Sequence, residues 1–275
     1  MAQLALEACA RAELAQTEIA SVGIGVPSAV HPRTKRVVSA GNLAWKNVDV
    51  GSEFQKHWNI RVEIANDADC AALGECLAGA AKGYASGLMV TLGTGVGCGI
   101  VIDKKPFYGG DGAGIEGGHI PIVHNGLPCT CGHRGCFEVY ASATALIRQS
   151  REQMMAHPQS LMWELCGRDL SQVDGKTAFE AAKRGDAAGR TVVKHYIAYL
   201  ASGLIGMITM LRPEIVLLGG GLSGAGEALF TPLRAEVLNR LYNAEVFGCP
   251  PIFPAALGND AGVIGAAMMG RSGTK

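Results

Sequence analysis

The sequence has no net charge, no run of like charges and no apolar segment long enough to cross a membrane. Its 24 basic and 24 acidic residues balance, so there is no electrostatic footprint for nucleic acid or for an anionic membrane. The most apolar stretch, 196–211, has about 16 residues and ends at Arg212, which is too short to span a bilayer. Glu7, Arg11 and Glu13 interrupt the N-terminal region, which is untypical of a signal peptide. We therefore expect a cytoplasmic protein with no nucleic-acid or membrane partner.

A regular disulfide framework is also missing. The nine cysteines are an odd number without regular spacing, which argues against an oxidised, secreted protein. Six of them are interpreted as small buried apolar residues, namely Cys9, Cys70, Cys76, Cys98, Cys166 and Cys249. The other three lie close together in one loop rich in Gly, Pro and Thr.

This loop, residues 116–138, reads EGGHIPIVHNGLPCTCGHRGCFE. One nitrogen and three sulfurs form a standard tetrahedral ligand set for structural Zn²⁺. The loop can bury little apolar surface, so metal binding would explain how it becomes ordered. His124 and His133 are rival nitrogen ligands, but the turn at Gly117 and Gly118 can aim the next side chain across the loop. The predicted ligands are therefore His119, Cys129, Cys131 and Cys136.

Two carboxylates, Glu116 and Glu138, bracket the loop. If the metal fixes the loop, both are held near His119. Carboxylates accept hydrogen bonds from hydroxyl groups, so this group would suit a hydroxyl-rich ligand. Taken alone, Glu116 and Glu138 are explained at least as well as two solvated loop residues with no ligand.

Two glycine-rich turns follow predicted strands. In 87–103, apolar segments flank GTGVG, which predicts a strand, a turn and a returning strand. Cys98 replaces the last glycine of G-x-G-x-x-G and no helix follows, so a Rossmann site is disfavoured. Backbone N–H groups of this turn, with the Thr94 hydroxyl, can face a phosphate. The second turn, 219–221, joins a predicted strand to a helix, where a nucleotide can approach the backbone. An ordinary hairpin and an ordinary βα turn explain the same two patterns.

Predicted strands alternate with predicted helices, which indicates an α/β protein with two sheet-containing lobes. Strands are predicted at 19–26, 36–39 and 60–65, on both sides of the glycine turn within 87–102, and at 215–218 and 251–255. Helices are predicted at 2–16, 50–58, 68–81, 141–156, 176–184, 187–211, from 226 and at 260–270. Asp67 or Asp69 is placed to cap the helix at 68–81.

Six motifs together resemble the ROK family (repressors, open reading frames and sugar kinases). They are NDADCAALGE at 66–75, LGTGVGCGIVID at 92–103, EGGH at 116–119, CTCGHRGCFEVYAS at 129–142, VLLGGGLSGAGE at 216–227 and LGNDAGVIGAA at 257–267. The resemblance covers about residues 19–270 and is most specific in the cysteine loop. Within the family it points to bacterial glucokinases. It implies a two-lobed actin-like ATPase (ribonuclease H-like) fold, with residues 1–66 plus 262–275 as the smaller lobe and 67–261 as the larger.

The resemblance also implies an activity, the transfer of phosphate from ATP to the 6-hydroxyl of a hexose, with glucose favoured. Asp67 would be the general base. The sugar-binding set would be Asn66, Asp67, Glu116, His119 and Glu138. ATP would contact Gly93, Thr94 and Gly95 through its phosphates, and Gly219, Gly220 and Gly221 through its adenosine. Mg²⁺ would travel with the nucleotide, Zn²⁺ would be structural, and the protein would form a homodimer or homotetramer.

One departure from the family concerns its D-x-G-G-T phosphate motif, which does not occur in the sequence. We therefore expect an incomplete N-terminal lobe and impaired phosphoryl transfer, since that chemistry depends on positioning and charge neutralisation.

The alternatives to a glucokinase are an N-acetylmannosamine or N-acetylglucosamine kinase, the sugar-sensing domain of a ROK repressor, and a catalytically impaired fragment. Residues that read the sugar's 2-substituent are expected around 28–30 and at Gly41 and Asn42.

Overall fold

The computed structural model describes residues 1–31, 33–40, 43–111 and 113–270, and the chain has the α/β architecture that the sequence predicts. The strands are β1 (Val22–Val26), β2 (Val37–Ala40), β3 (Trp45–Val48), β4 (Val62–Asn66), β5 (Gly87–Leu92), β6 (Val96–Ile102), β7 (Lys105–Pro106), β8 (Ile215–Gly219) and β9 (Ile252–Pro254). The helices are α1 (Ala2–Arg11), α2 (Val50–Gln55), α3 (Asp67–Ala78), α4 (Glu138–Ala141), α5 (Ala143–Ala156), α6 (Met162–Leu165), α7 (Thr177–Lys183), α8 (Ala187–Leu211), α9 (Glu227–Arg240), α10 (Ala244–Phe247) and α11 (Asp260–Met269).

The chain forms two compact units. Unit 1 comprises Met1–Met89, Gly99–Ile115 and Ala256–Lys275, and unit 2 comprises Val90–Cys98 and Glu116–Ala255. Strands β5 and β6 contribute residues to both units, within a five-stranded sheet of order β7-β6-β5-β8-β9. The sequence analysis assigned α3 to the larger lobe, whereas the structure places it in unit 1. The physical reason is that α3 follows β4 directly and packs closely against α11.

Unit 1 is built on the parallel pair β1 and β4, in which Val22 lies opposite Val62. The antiparallel pair β2 and β3 lies beside a core of apolar side chains, Val26, Val37, Ala40, Val50 and Ile64. A second cluster joins α3 to α11 and consists of Ala65, Cys70, Leu73, Ala266 and Met269. These two clusters fix the end of β4, where α3 begins.

Three glycines bring the elements of unit 1 into backbone contact. A β-carbon on Gly23 of β1 would overlap the carbonyl of Ala266 in α11. A β-carbon on Gly74 of α3 would overlap the α11 backbone, and one on Gly265 of α11 would overlap the α3 backbone. We call these three positions the glycine seam. Only glycine permits an approach this close.

Unit 2 is mainly helical around the parallel pair β8 and β9. Helix α8 is its central element and packs against α5, α7 and α9. In contrast to the sequence-based expectation, α8 is long and apolar enough to cross a membrane, with a mean hydropathy of 1.3 over its apolar window, but half of that window is buried inside the protein. Burial against three other helices is the behaviour of a core helix.

Several element boundaries differ from the sequence-based predictions. The first helix ends at Arg11 and not at residue 16, because the chain turns at Glu13, whose φ of 56° lies in the left-handed region. Strands β3 and β7 and helices α4, α6 and α10 were not predicted. Each is short, with two to four residues, and such segments carry too few residues for a periodic pattern. Helix α8 has the predicted bounds.

Candidate functional site

Asn66 and Asp67 lie in unit 1, where β4 passes directly into α3. Asn66 is the N-cap of α3, and its Oδ1 accepts the Ala68 N–H at 2.8 Å. Its Nδ2 donates to the Ser28 carbonyl at 3.3 Å. The amide therefore joins the helix start to the turn that follows β1, which is one of the two segments predicted to read the sugar. The other, Gly41 and Asn42, lies outside the described residues.

The carboxylate of Asp67 has an unusual environment for an exposed side chain. Its Oδ1 accepts the Ala68 N–H at 2.9 Å, and within the described part of the chain it pairs with no basic side chain. Surrounding protein removes part of its hydration, which raises the pKa of the carboxyl above the ordinary value, while the N–H groups of Ala68 and Asp67 act in the opposite direction. A carboxylate with a raised pKa and no cationic partner is suited to accept a proton.

In unit 2 the structure brings the four predicted metal ligands together. The ligand atoms of His119, Cys129, Cys131 and Cys136 all lie within 4.8 Å of one another. His119 Nδ1 is 3.7 Å from Cys129 Sγ, and the Sγ atoms of Cys131 and Cys136 are 3.6 Å apart. A tetrahedral Zn²⁺ with bonds of about 2.3 Å to sulfur and 2.0 Å to nitrogen separates its ligand atoms by roughly 3.5–3.8 Å. The donor set is thus that of a zinc ion, and these two separations match its geometry.

Backbone packing sets up this cluster. A β-carbon on Gly117 would clash with the side chain of Cys98, and one on Gly118 would clash with the carbonyl of Val96, so the turn before His119 packs tightly on β6. Farther along, the Cys129 N–H donates to the His133 carbonyl at 2.8 Å. Gly135, at a φ of 81°, has no room for a β-carbon. Gly117, Gly118 and Gly135 are therefore required for this packing of the loop.

The two thiols that face each other differ in their ionisation. Burial raises the pKa of Cys136 to about 12. The backbone N–H of His133 lowers the pKa of Cys131, which is exposed. Binding of Zn²⁺ requires both as thiolates.

The two rival histidines do not join the cluster. His124 is exposed, and its Nε2 lies 3.1 Å from Asn125 Nδ2. His133 contributes its backbone carbonyl to Cys129. Of the three histidines in the loop, His119 is the one whose ring nitrogen lies among the sulfurs.

Glu138 contacts both the cysteine cluster and the first glycine turn. Its Oε2 accepts the Val96 N–H at 3.0 Å, and its Oε1 lies 4.0 Å from Cys129 Sγ. A β-carbon on Gly95 would overlap this carboxylate. Glu116 is exposed, and its carbonyl accepts the His119 N–H at 3.0 Å. Sequence analysis placed both acids beside His119 but could not predict the bond to Val96, which is 42 residues away.

The two glycine turns of unit 2 meet at a cavity of about 260 Å³. It is lined by residues of four segments: Leu92, Gly93, Thr94, Ala143, Asp174, Gly175, Lys176, Gly221, Leu222, Gly224 and Ala225. The first turn is held by the start of α5, where the Ala143 N–H donates to the Gly93 carbonyl at 2.8 Å and Thr144 Oγ1 donates to the Thr94 carbonyl at 2.9 Å.

Of the six residues predicted to bind nucleotide, Gly93, Thr94 and Gly221 line this cavity. Gly219 is the buried end of β8, and Gly220 has a φ of 83° and packs against the Leu92 backbone. Gly219, Gly220 and Gly95 are not among the lining residues. They shape the backbone of the two turns.

The segment 174–176 was not predicted as part of a site. Its sequence pattern, Asp-Gly before a helix, predicts a turn or a helix cap and does not indicate a ligand. Its position beside the glycine turns results from packing between segments distant in sequence, namely Gly175 against Leu222.

Comparison with known proteins gives a consistent set of relatives. The ROK family model matches residues 4–272. A glucokinase of Thermotoga maritima is 38% identical over 247 residues, which cover 90% of this chain and 77% of the relative. The crystal structure of a ROK family glucokinase from Streptomyces griseus in complex with glucose and AMPPNP superposes with a TM-score of 0.84 at 31% identity, covering 99% of this chain and 88% of the other. A xylose repressor of Bacillus subtilis is 28% identical over 246 residues, 89% of this chain and 59% of the repressor.

Proposed function

Because the chain belongs to the ROK family, whose sugar kinases have the actin-like ATPase fold, we propose that it is an ATP-dependent kinase that phosphorylates the 6-hydroxyl of a hexose, with glucose as its substrate. The observation that carries the proposal is the environment of Asp67. This carboxylate combines a raised pKa with the lack of a cationic partner among the described residues. That combination is what a general base for a sugar hydroxyl requires.

In the proposed reaction, Asp67 accepts the proton of the 6-hydroxyl as that oxygen attacks the γ-phosphorus of ATP, and ADP leaves. Asn66, which is fixed by its bonds to Ala68 and Ser28, donates to a sugar hydroxyl with the remaining N–H of its amide. We assign to Glu116, His119 and Glu138, as the family resemblance implies, the role of further hydrogen-bond acceptors and donors for sugar hydroxyls. Mg²⁺ bound to the nucleotide would neutralise phosphate charge.

Zinc would be held by His119 through Nδ1 and by the sulfurs of Cys129, Cys131 and Cys136. When bound it supplies structural order to the loop. The remaining nitrogen of His119, Nε2, is then left to contact the sugar. Fixing one ring nitrogen in this way orients the other.

We also propose a cytoplasmic location and a homodimer or homotetramer. Three cysteines that must be thiolates to bind metal suit a reducing compartment. The exposed apolar side chains of Tyr242, Val246 and Phe247, each at least 66% exposed, support self-association.

The direct test is to incubate the purified chain with glucose and MgATP and to assay glucose 6-phosphate with a coupled dehydrogenase. We expect turnover that depends on both substrates, at a reduced rate because the sequence lacks the D-x-G-G-T phosphate motif. Competition by N-acetylmannosamine and N-acetylglucosamine tests the related substrate class. A protein that binds no hexose and forms no sugar phosphate would contradict the proposal.

The similarity to a xylose repressor favours one second candidate, a sugar-sensing domain. A sensor needs the sugar site but not the phosphoryl transfer. Glucose binding in calorimetry without any phosphate transfer would support the sensor, or a catalytically impaired fragment, over the kinase.

A further inference from the structure

The cavity of unit 2 has walls that are poor in side-chain charge. Four of its lining residues are glycines, which let a ligand approach the backbone. Its charged lining residues are Asp174 and Lys176. A nucleoside triphosphate carries several negative charges, and removing them from water without a nearby cation is costly.

The carboxylate of Asp174 stabilises the turn formed by residues 174–176. Its Oδ1 accepts the N–H groups of Lys176 at 2.9 Å and Thr177 at 3.0 Å, and the Thr177 hydroxyl at 2.8 Å. Burial alone would raise the pKa of Asp174, but these hydrogen bonds outweigh it and lower the pKa below the ordinary value. The carboxylate therefore stays ionised, and it fixes the backbone of Lys176.

A second contact fixes the same turn against the other wall of the cavity. A β-carbon on Gly175 would lie 2.6 Å from Leu222 Cδ2, so the turn packs closely on the segment Gly221–Ala225. The backbone of Lys176 is thereby fixed, and Lys176 lines the same cavity as Gly93 and Thr94.

The ammonium group of Lys176 is available for a ligand. The side chain is exposed and, within the part of the chain that the structure describes, makes no hydrogen bond or ion pair. The positive charge of Lys176 helps to lower the pKa of Asp174, but the carboxylate takes its hydrogen bonds from three other donors to its Oδ1. A lysine of this kind acts as a mobile point charge for phosphate oxygens.

We propose that Lys176 supplies the side-chain positive charge that binds the phosphates of the nucleotide in this cavity. This inference rests on the kinase function proposed above. It assigns a nucleotide-binding role to a residue outside both glycine turns.

The test compares Lys176→Met with the parent by calorimetric titration with MgATP, MgADP and adenosine. We expect the affinity for MgATP to fall roughly tenfold or more, as for the loss of a charged hydrogen bond, and the affinity for adenosine to stay unchanged. Lys176→Arg should retain most of the affinity, since it keeps the charge. In steady-state assays the KM for ATP should rise in Lys176→Met, while the KM for glucose should not.

The matched control is Lys183→Met. Lys183 is exposed at the end of α7 and does not line the cavity, so its substitution should leave nucleotide affinity unchanged. Equal loss of affinity for MgATP and adenosine would overturn the assignment to phosphate, and an unchanged MgATP affinity in Lys176→Met would overturn it entirely. A parent protein that binds no MgATP would instead overturn the proposed function.

Discussion

The carboxyl of Asp67 has its pKa raised by the loss of hydration. The folded state therefore disfavours the ionised form relative to the unfolded chain. The stability contributed by this group is fully present below its unfolded pKa, near 3.8, and is lost as the pH rises through the higher folded pKa. At neutral pH the ionised side chain consequently works against folding, while it serves as the proposed base.

Asp67→Asn should separate these two effects. We expect no measurable sugar phosphorylation, because an amide cannot take up the hydroxyl proton. We also expect a higher Tm than the parent at pH 7, with a difference that shrinks as the pH falls through the folded pKa towards 3.8. Thermal melts across this pH range and the coupled assay measure both.

Asp169→Asn serves as the control for this prediction. The Ser171 hydrogen bonds lower the pKa of Asp169, the opposite direction to Asp67, so neutralising it should give no gain in Tm at pH 7. Residual turnover in Asp67→Asn, or melting equal to that of the parent at pH 7, would argue against our account of Asp67.

Some residues of the site were predictable and others were not, for physical reasons. His119 and the three cysteines were predictable because a metal demands particular ligand types within a short loop. The bond from Val96 N–H to Glu138 and the position of Lys176 in the cavity depend on long-range packing. Glycine and lysine in a polar turn carry no pattern that distinguishes a ligand site from a solvated surface.

Among the elements, α3 depends on a carboxylate at its C-terminal end. Glu75 is fully buried, and its Oε2 accepts the Ala80 N–H at 2.8 Å while Oε1 accepts the Leu257 N–H at 2.7 Å. The same side chain thus ends α3 and anchors the chain just before α11. Both donors are backbone groups that would otherwise need another partner.

Glu75→Ala should lower the free energy of unfolding by about 2–5 kcal/mol, because two N–H groups lose their acceptor in a buried place. Chemical denaturation measures the change. Glu152→Ala is the control, since Glu152 makes an exposed ion pair with Arg148 on α5, and its loss should cost within about 0.5 kcal/mol. Similar stability of the two variants would refute the role assigned to Glu75.

A helix or strand could be predicted from the sequence when the residues that determine it lie within or next to it. Helix α8 was predicted to its exact ends because Asp186 caps its start through the Gly189 N–H at 2.7 Å and Pro213 follows its end. Strand β3 was missed because its four residues include Lys46 and Asn47, which are exposed. Its pairing with β2 comes from tertiary contacts.

For the molecule as a whole, the cysteine loop is the feature whose order depends most on a bound ion. Backbone bridges link Pro121 to Cys136 and Pro128 to Arg134, yet most of the loop between them is exposed. We expect the purified protein to contain one zinc per chain, measured by atomic emission. A chelator should remove it and lower the Tm by about 5–10 °C.

Cys131→Ser should lose zinc and melt early without any chelator. Cys249→Ser is the control, because Cys249 lies outside the cluster, and it should keep both metal and Tm. A metal-free parent with unchanged melting would rule out the zinc site.

The sequence predicted the α/β class and the two-lobed family fold, since these follow from the alternation of elements and from motifs spread along the chain. The lobe boundaries were harder to predict. Helix α3 belongs to unit 1 through its packing on α11, almost two hundred residues away along the chain. Pairing over that distance leaves no local signal.

The glycine seam has a further consequence for the movement of α3. Where side chains meet, a small displacement is absorbed by a change of rotamer. At Gly23, Gly74 and Gly265 main-chain atoms meet instead, and they have no such freedom. Helix α3 is therefore held to α11 at Cys70 and Gly74, and α11 to β1 at Gly23, by contacts that cannot adjust through side chains. A displacement of α3 would have to carry α11 and β1 with it, so Asp67, at the first turn of α3, is mounted on a rigid assembly of three elements.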